Sequence, residues 1–214
     1  MADTLTYRSF PPKLVAGALS LDFVNTVEWR GDAERRIERL TGYDELLLWC
    51  RAAGVLDDDG AEQRRAEAER RPAAAADVVQ QAIAARELLA DLLAGQPGFR
   101  TLSEFNWLLG RIPRSAVLKA DGDGFAWRYD SGDRLNDVLW PVLWDAAALL
   151  TGDSLGKVGH CHNDICGWFF IDHSRNRSRR WCSMDSCGNR AKARRHYARN
   201  RAGSDAENSS RVDG

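Results

Sequence analysis

Four of the five cysteines fall into two pairs of identical internal spacing, Cys161 with Cys166 and Cys182 with Cys187, and fifteen residues lie between the pairs. Two chelating knuckles joined by a loop are the usual sequence form of a tetrahedral zinc site. A segment of roughly 40 residues buries too little apolar surface to fold alone, so a metal there would replace a core. On spacing alone, unliganded or disulfide-paired cysteines and an iron–sulfur cluster remain open alternatives. A disulfide scaffold suits a small secreted domain, whereas the N-terminal MADTLTYRSFPPKL lacks the basic-then-apolar pattern of a signal peptide. The chain also has no run of about 18 apolar residues, so it is expected to be cytoplasmic and not to enter a membrane. With all four tetrahedral positions taken by thiolates no place remains for water, and the zinc would be structural.

The surroundings of the cysteines fit that reading. Four thiolates around Zn²⁺ leave excess negative charge, which Arg180, Arg190 and Lys192 are placed to offset, and Cys187 stands where a helix begins and its dipole favours a thiolate. Trp168, Phe169, Phe170, Ile171 and Trp181 either pack around the site or join the core of the remaining chain. His160 and His162 flank Cys161 and could replace a cysteine, and Cys50, alone in an apolar stretch, reads as a small buried hydrophobe.

A net charge of −1 conceals a strong asymmetry. Residues 157 to 201 carry eleven Lys and Arg against three Asp, a net +8, while residues 1 to 156 carry −7. In the helix expected from Cys187, Lys192, Arg195 and Arg199 recur at spacings of three and four and share a face, with Arg194 beside them. Arg175, Arg177, Arg179, Arg180 and Arg190 extend the basic surface, interleaved with Ser174, Asn176 and Ser178, which suits phosphate contacts. DNA is the expected partner, and a zinc-stabilised protein- or RNA-binding module is the alternative. The cations could also pair with the acidic body, which would mask the basic end. One finger covers few base pairs, so useful specificity implies a homodimer. Neither a glycine-rich phosphate loop, a nucleophile elbow nor an open metal site is present, so no enzyme is expected.

Nineteen aromatic residues supply a core for the rest of the chain. The apolar period predicts helices over Leu19 to Trp29, over Asp44 to Ala53 ended by Gly54, from Pro72 to Gly95, and over Leu135 to Leu150 with a kink at Pro141, while the charged, alanine-rich residues 57 to 71 read as an exposed helix with few core contacts. The Pro72 helix reads as the longest. Thr101 and Glu104 match a capping box opening another helix. Phe125, Trp127 and Tyr129 alternate after the DGDG turn at Asp121 to Gly124, which predicts a β-hairpin with Val117 to Ala120. The fold class is therefore mainly α with a small β-hairpin: a helical domain over 1–155, a zinc-binding domain with a basic helix over 156–201, and a disordered tail over 202–214.

The segment CHNDICGWFFIDHSRNRSRRWCSMDSCGNRAKARRHYAR, as a whole, resembles the CGNR zinc finger, named for the tetrad that stands here at Cys187, Gly188, Asn189 and Arg190. The match includes Phe170, Asp172 and Ser174, the run Arg180 to Met184, and Lys192. Upstream, LDFVNT at Leu21 to Thr26 is similar to the ABATE-type companion domain of bacterial stress-induced transcription regulators. The resemblance implies zinc on Cys161, Cys166, Cys182 and Cys187, and a finger that contacts DNA. It also leads to the expectation that the helical domain senses a small-molecule effector, with Asp22, Asn25 and Arg30 as candidate contacts, although Asp22 and Asn25 could equally bond to backbone within the fold.

Overall fold

The computed structural model describes residues 6–95, 98–111, 116–122, 124–129 and 135–212, with backbone alone for 116, 117, 121, 125–129, 200 and 202–212. Helix α1 (Leu19–Val24) buries Leu21, Phe23 and Val24. It stops at Asn25, short of the predicted Trp29, because the next two side chains are engaged elsewhere. Asn25 bonds to the distant Phe169 backbone, and the Thr26 hydroxyl donates to the Phe23 carbonyl at 2.8 Å. The chain then extends into β1 (Val27–Glu28), which pairs antiparallel with β2 (Ile37–Glu38).

The middle of the body follows its sequence signals closely. Helix α2 (Tyr43–Ala52) is followed by Gly54 at φ 72°, the left-handed conformation its lack of a side chain permits. Helix α3 (Asp58–Arg70) is capped by the Asp57 carboxylate on the Gly60 N–H at 2.7 Å and buries only Ala61. Helix α4 (Pro72–Leu93) starts on its proline, where the missing N–H would have no intrahelical partner. Helix α5 (Phe99–Leu109) begins before Thr101, with Gly98 at its N-cap; Glu104 pairs with Arg100 at 2.6 Å instead of closing a capping box. Strands β3 (Ala116–Asp121) and β4 (Gly124–Tyr129) form the expected hairpin, though Asp123 and the side chains of Phe125, Trp127 and Tyr129 lie outside the described residues. A 3₁₀ turn (Leu135–Leu139) leads into α6 (Trp140–Thr151), so Pro141 sits in a first turn and breaks no helical hydrogen bond.

Beyond the body, β5 (Val158–His160) pairs with β6 (Phe169–Ile171), and α7 runs from Asn189 to Val212. At 24 residues α7 exceeds the 22 of α4, and the expected disordered tail is helical as far as Val212, with Asp213 and Gly214 outside the described residues. Once a helix is nucleated at the turn beside Cys187, each added residue gains a hydrogen bond without a new nucleation cost. No helix among the described residues is long and apolar enough to cross a membrane.

Two apolar clusters hold the body. The first joins Phe23, Leu46, Trp49, Val79 and Val138; the second joins Leu21, Val24, Leu89, Phe105 and Ala146, and it also takes in Phe169 and Ile171 from β6. Alternation along β6 thus divides its side chains, with Phe170 facing the cysteines in a third cluster beside Trp168.

Arg86 of α4 is fully buried and donates to both Glu38 oxygens at 2.7 and 2.6 Å, and to the Thr26 hydroxyl at 3.2 Å. Burial pushes the Glu38 carboxyl up, but the Arg86 bonds outweigh it and hold it below its usual range. A carboxyl held low stabilises the fold above the unfolded-state value near 4.3 and loses that contribution as pH falls through the folded value. Arg86→Leu should destabilise the chain by about 3 kcal/mol and flatten the acid limb of a stability–pH curve measured by urea unfolding.

Candidate functional site

The four cysteines converge because each knuckle is closed by backbone bonds. The Cys166 N–H donates to the Asn163 carbonyl at 2.7 Å, Cys161 N–H to Trp168 at 2.9 Å, and His162 N–H to Arg180 at 2.9 Å. The second knuckle passes through a π-type turn (Met184–Gly188) straight into α7, so Cys187 lies at that helix's positive end. All four Sγ atoms are buried within 4.8 Å of one another, and Cys182 stands 3.7 Å from both Cys166 and Cys187. A tetrahedron with metal–sulfur bonds of about 2.3 Å has edges of about 3.8 Å. The observed edges match that figure and are far longer than a disulfide bond of about 2.05 Å. An iron–sulfur cluster would put its own iron and sulfide atoms between the thiolates and spread them further apart.

The electrostatics point to a cation as well. Hydrogen bonds from Cys166 and Cys182 pull the Cys161 thiol well below its ordinary value, and the contact with Cys161 pushes Cys166 and Cys182 up. Crowded sulfurs can shed all their protons only when a positive ion shares the charge. Of the cations expected near the site, Arg190 donates to Cys187 Sγ at 3.4 Å and stacks on Trp29 at 4.4 Å. Arg180 instead meets His162 Nδ1 at 3.1 Å, and Lys192 is exposed. The Asn163 amide also donates to Cys187 Sγ, at 3.4 Å. Neither His160 nor His162 joins the sulfur cluster; their rings pack on Phe169 and Trp181. Cys50 is fully buried and its thiol is pushed up by desolvation, in keeping with a small hydrophobe.

The loop between the knuckles is built on Asp172, whose carboxylate accepts from the Ser174 N–H at 2.8 Å and the Arg179 N–H at 2.9 Å. The bonds to Ser174, the largest influence, and to Arg179 hold that carboxyl below its usual range. The loop displays Arg175 and Arg177 to solvent, whereas Arg179 turns inward. Its guanidinium donates to the carbonyls of Val15, Ile171, Trp181 and Cys182 and lies 4.3 Å over the Phe170 ring. Arg179 therefore belongs to the finger's frame. On α7, Lys192, Arg195 and Arg199 line one face, and Arg194 reaches Asn163 at 3.5 Å. None of the cations from Arg175 to Arg199 pairs with a carboxylate of the body among the described residues.

The three body candidates take up positions within the fold. Asp22 Oδ1 accepts the N–H groups of Val15 and Ala16 at 2.9 and 3.0 Å. Asn25 donates to the Phe169 carbonyl and accepts the Phe169 N–H, both at 2.9 Å, as a backbone strand would. Arg30 pairs with Glu87 and donates to the Val24 carbonyl, and its N–H bonds to Cys166 at 3.1 Å. Trp168 completes the seam by donating its indole N–H to Val27 at 2.8 Å. The backbones approach so closely there that a Cβ on Gly31 would lie 2.1 Å from the Asp164 carbonyl oxygen, and one on Gly167, at φ 71°, would lie 2.6 Å from Arg30 Cβ. Sequence reasoning missed Arg86, whose signal was a charged residue on the apolar stripe of α4, and the two seam glycines, which carry no local signal.

The architecture is that of a helical domain with a four-cysteine finger docked on it. Residues 17–153 match the model of the ABATE family, described as a putative stress-induced transcription regulator, and residues 157–200 match that of the CGNR zinc finger. The chain belongs to the ABATE family and carries a CGNR finger. No curated protein sequence matches it.

Removing the Asn25 carboxamide leaves both Phe169 backbone groups unpaired in the core. Asn25→Ala should cost about 2–4 kcal/mol in chemical denaturation, with Asn25→Asp intermediate because it keeps only the acceptor. Gly31→Ala should lower the melting temperature and red-shift tryptophan emission as Trp168 loses its packing.

Proposed function

We propose that the chain is a transcription regulator whose finger holds one structural Zn²⁺ on Cys161, Cys166, Cys182 and Cys187, contacts DNA through α7 and the preceding loop, and is tied to a body that senses a small ligand. The exposed row of Lys192, Arg195 and Arg199, free of body carboxylates, carries the DNA reading. It covers about 10 Å of helix, enough to meet several phosphates along a groove wall. Arg175, Arg177, Arg180 and Arg194 flank it, and zinc supplies the rigidity that lets these cations act together. Because the row has no carboxylate against it, masking by the acidic body is not part of this reading.

Metal analysis of the purified chain should return one zinc per chain. Chelation should unfold the body along with the finger, read as a loss of far-UV helical signal, because Phe169 and Ile171 share the body's core. A chain that keeps its fold after complete metal removal would refute the structural role. With about five to seven phosphate contacts, log K for duplex DNA should fall against log salt with a slope of about −5 to −6, and exchanging Lys192, Arg195 and Arg199 for Gln should reduce that slope by about 3. Equal affinity for RNA, or none for either, would favour the protein- or RNA-binding alternative.

A further inference from the structure

A cavity of about 230 Å³ lies where the N-terminal segment, α1 and the finger meet. Its charged lining is Lys13, Asp22, Glu28 and Arg39; its aromatic lining includes Tyr7, Trp49 and Trp168. The volume is below the roughly 300–1,000 Å³ typical of sites for drug-sized ligands, so the occupant is small. Both signs of charge stand in it, and each has capacity left over.

Arg39 is 4% exposed, donates to Glu28 at 2.6 Å and the Phe10 carbonyl at 2.7 Å, and lies 4.5 Å over the Tyr7 ring, yet its Nε has no partner among the described residues. Its guanidinium places a fixed positive charge at the cavity wall. Lys13, exposed at the mouth, adds a second cation with no ion pair among the described residues. On the other side, Asp22 uses only Oδ1, on the Val15 and Ala16 N–H groups. Burial pushes its carboxyl up to about 6 against those bonds, with Asp145 adding to the rise and Arg179 opposing it. A half-buried carboxylate short of a cation is stabilised by a bound ammonium.

We propose that this cleft binds a free amino acid or a zwitterion of that size, with its ammonium on Asp22 and Glu28, its carboxylate toward Arg39 and Lys13, and its side chain among Tyr7, Trp49 and Trp168. A lone amine leaves the Lys13 cation without a counter-charge, and a lone acid leaves Asp22 without one, so the zwitterion is the class that satisfies both. A smaller cavity of about 70 Å³ shares Lys13, Glu28 and Trp168 with it and reaches Cys166, Cys182, Cys187 and Arg190. The occupant would therefore bear on the finger's seating as well as on the body. The proposal rests on the sensing half of the function above and specifies its ligand class and its site.

The test is a thermal-shift and calorimetric screen of the full-length, metal-loaded chain against the common L-amino acids at about 5 mM, followed by the decarboxylated amine and the deaminated acid of each binder. At least one amino acid should raise the melting temperature and alter tryptophan emission, with both truncated analogues binding at least about tenfold more weakly. Asp22→Asn keeps an oxygen for the Val15 and Ala16 N–H groups, so it should fold and weaken the amino acid by about tenfold or more. Lys13→Gln, on the surface, is the second variant and should weaken it about threefold. No shift with any amino acid, an amine or acid binding as well as its parent, or full affinity in the variants would overturn the proposal. A metabolite that binds with Asp22→Asn having no effect would defeat this site and leave the sensing reading standing; a broad screen without any binder would defeat both.

Discussion

The carboxamide of Asn25 holds the two parts of this molecule in register. By donating to and accepting from Phe169, it acts as a short strand along the outer edge of β6, and Ala16 extends that edge by accepting the Ile171 N–H at 2.7 Å. With β5 on its other side, β6 has both edges paired, and its side chains are forced to alternate between the body and the metal site. The same residue ends α1, so the local break in the helix and the docking of the finger have one cause.

That arrangement changes what the finger is. A module of this size gains folding energy from its metal, yet two of its largest apolar side chains lie in the body's second cluster and Trp168 bonds to β1. Arg179 strengthens the union by spanning from the loop to Val15 while bracing Cys182. The cysteine knuckles, the loop and the body share packing and hydrogen bonds, so the seam is connected directly to the sulfurs and to the start of α7. The basic row begins about one turn beyond the last cysteine, so its direction is set by the knuckle.

Much of the site was legible in the chain itself. Equal cysteine spacings located the metal cluster, the 3.6-residue period placed α2 and α4, charged composition placed α3, and the basic row on α7 followed from residues three and four apart. Errors came where side chains override local preference. Asn25 and Thr26 cut α1 short, an earlier start replaced the capping box at α5, and Arg179, identical in sequence terms to its neighbours, turned inward to four carbonyls.

The sequence by itself determined which atoms can hold a metal and which helical face is basic, because ligand chemistry and helical period act over a few residues. Only the tertiary structure decided that Asn25 serves the seam, that Gly31 and Gly167 allow two backbones to touch, and that Arg39 lines a cavity. Those outcomes depend on partners more than a hundred residues away, or on the space left when three elements meet. Neither is encoded in spacing along the chain.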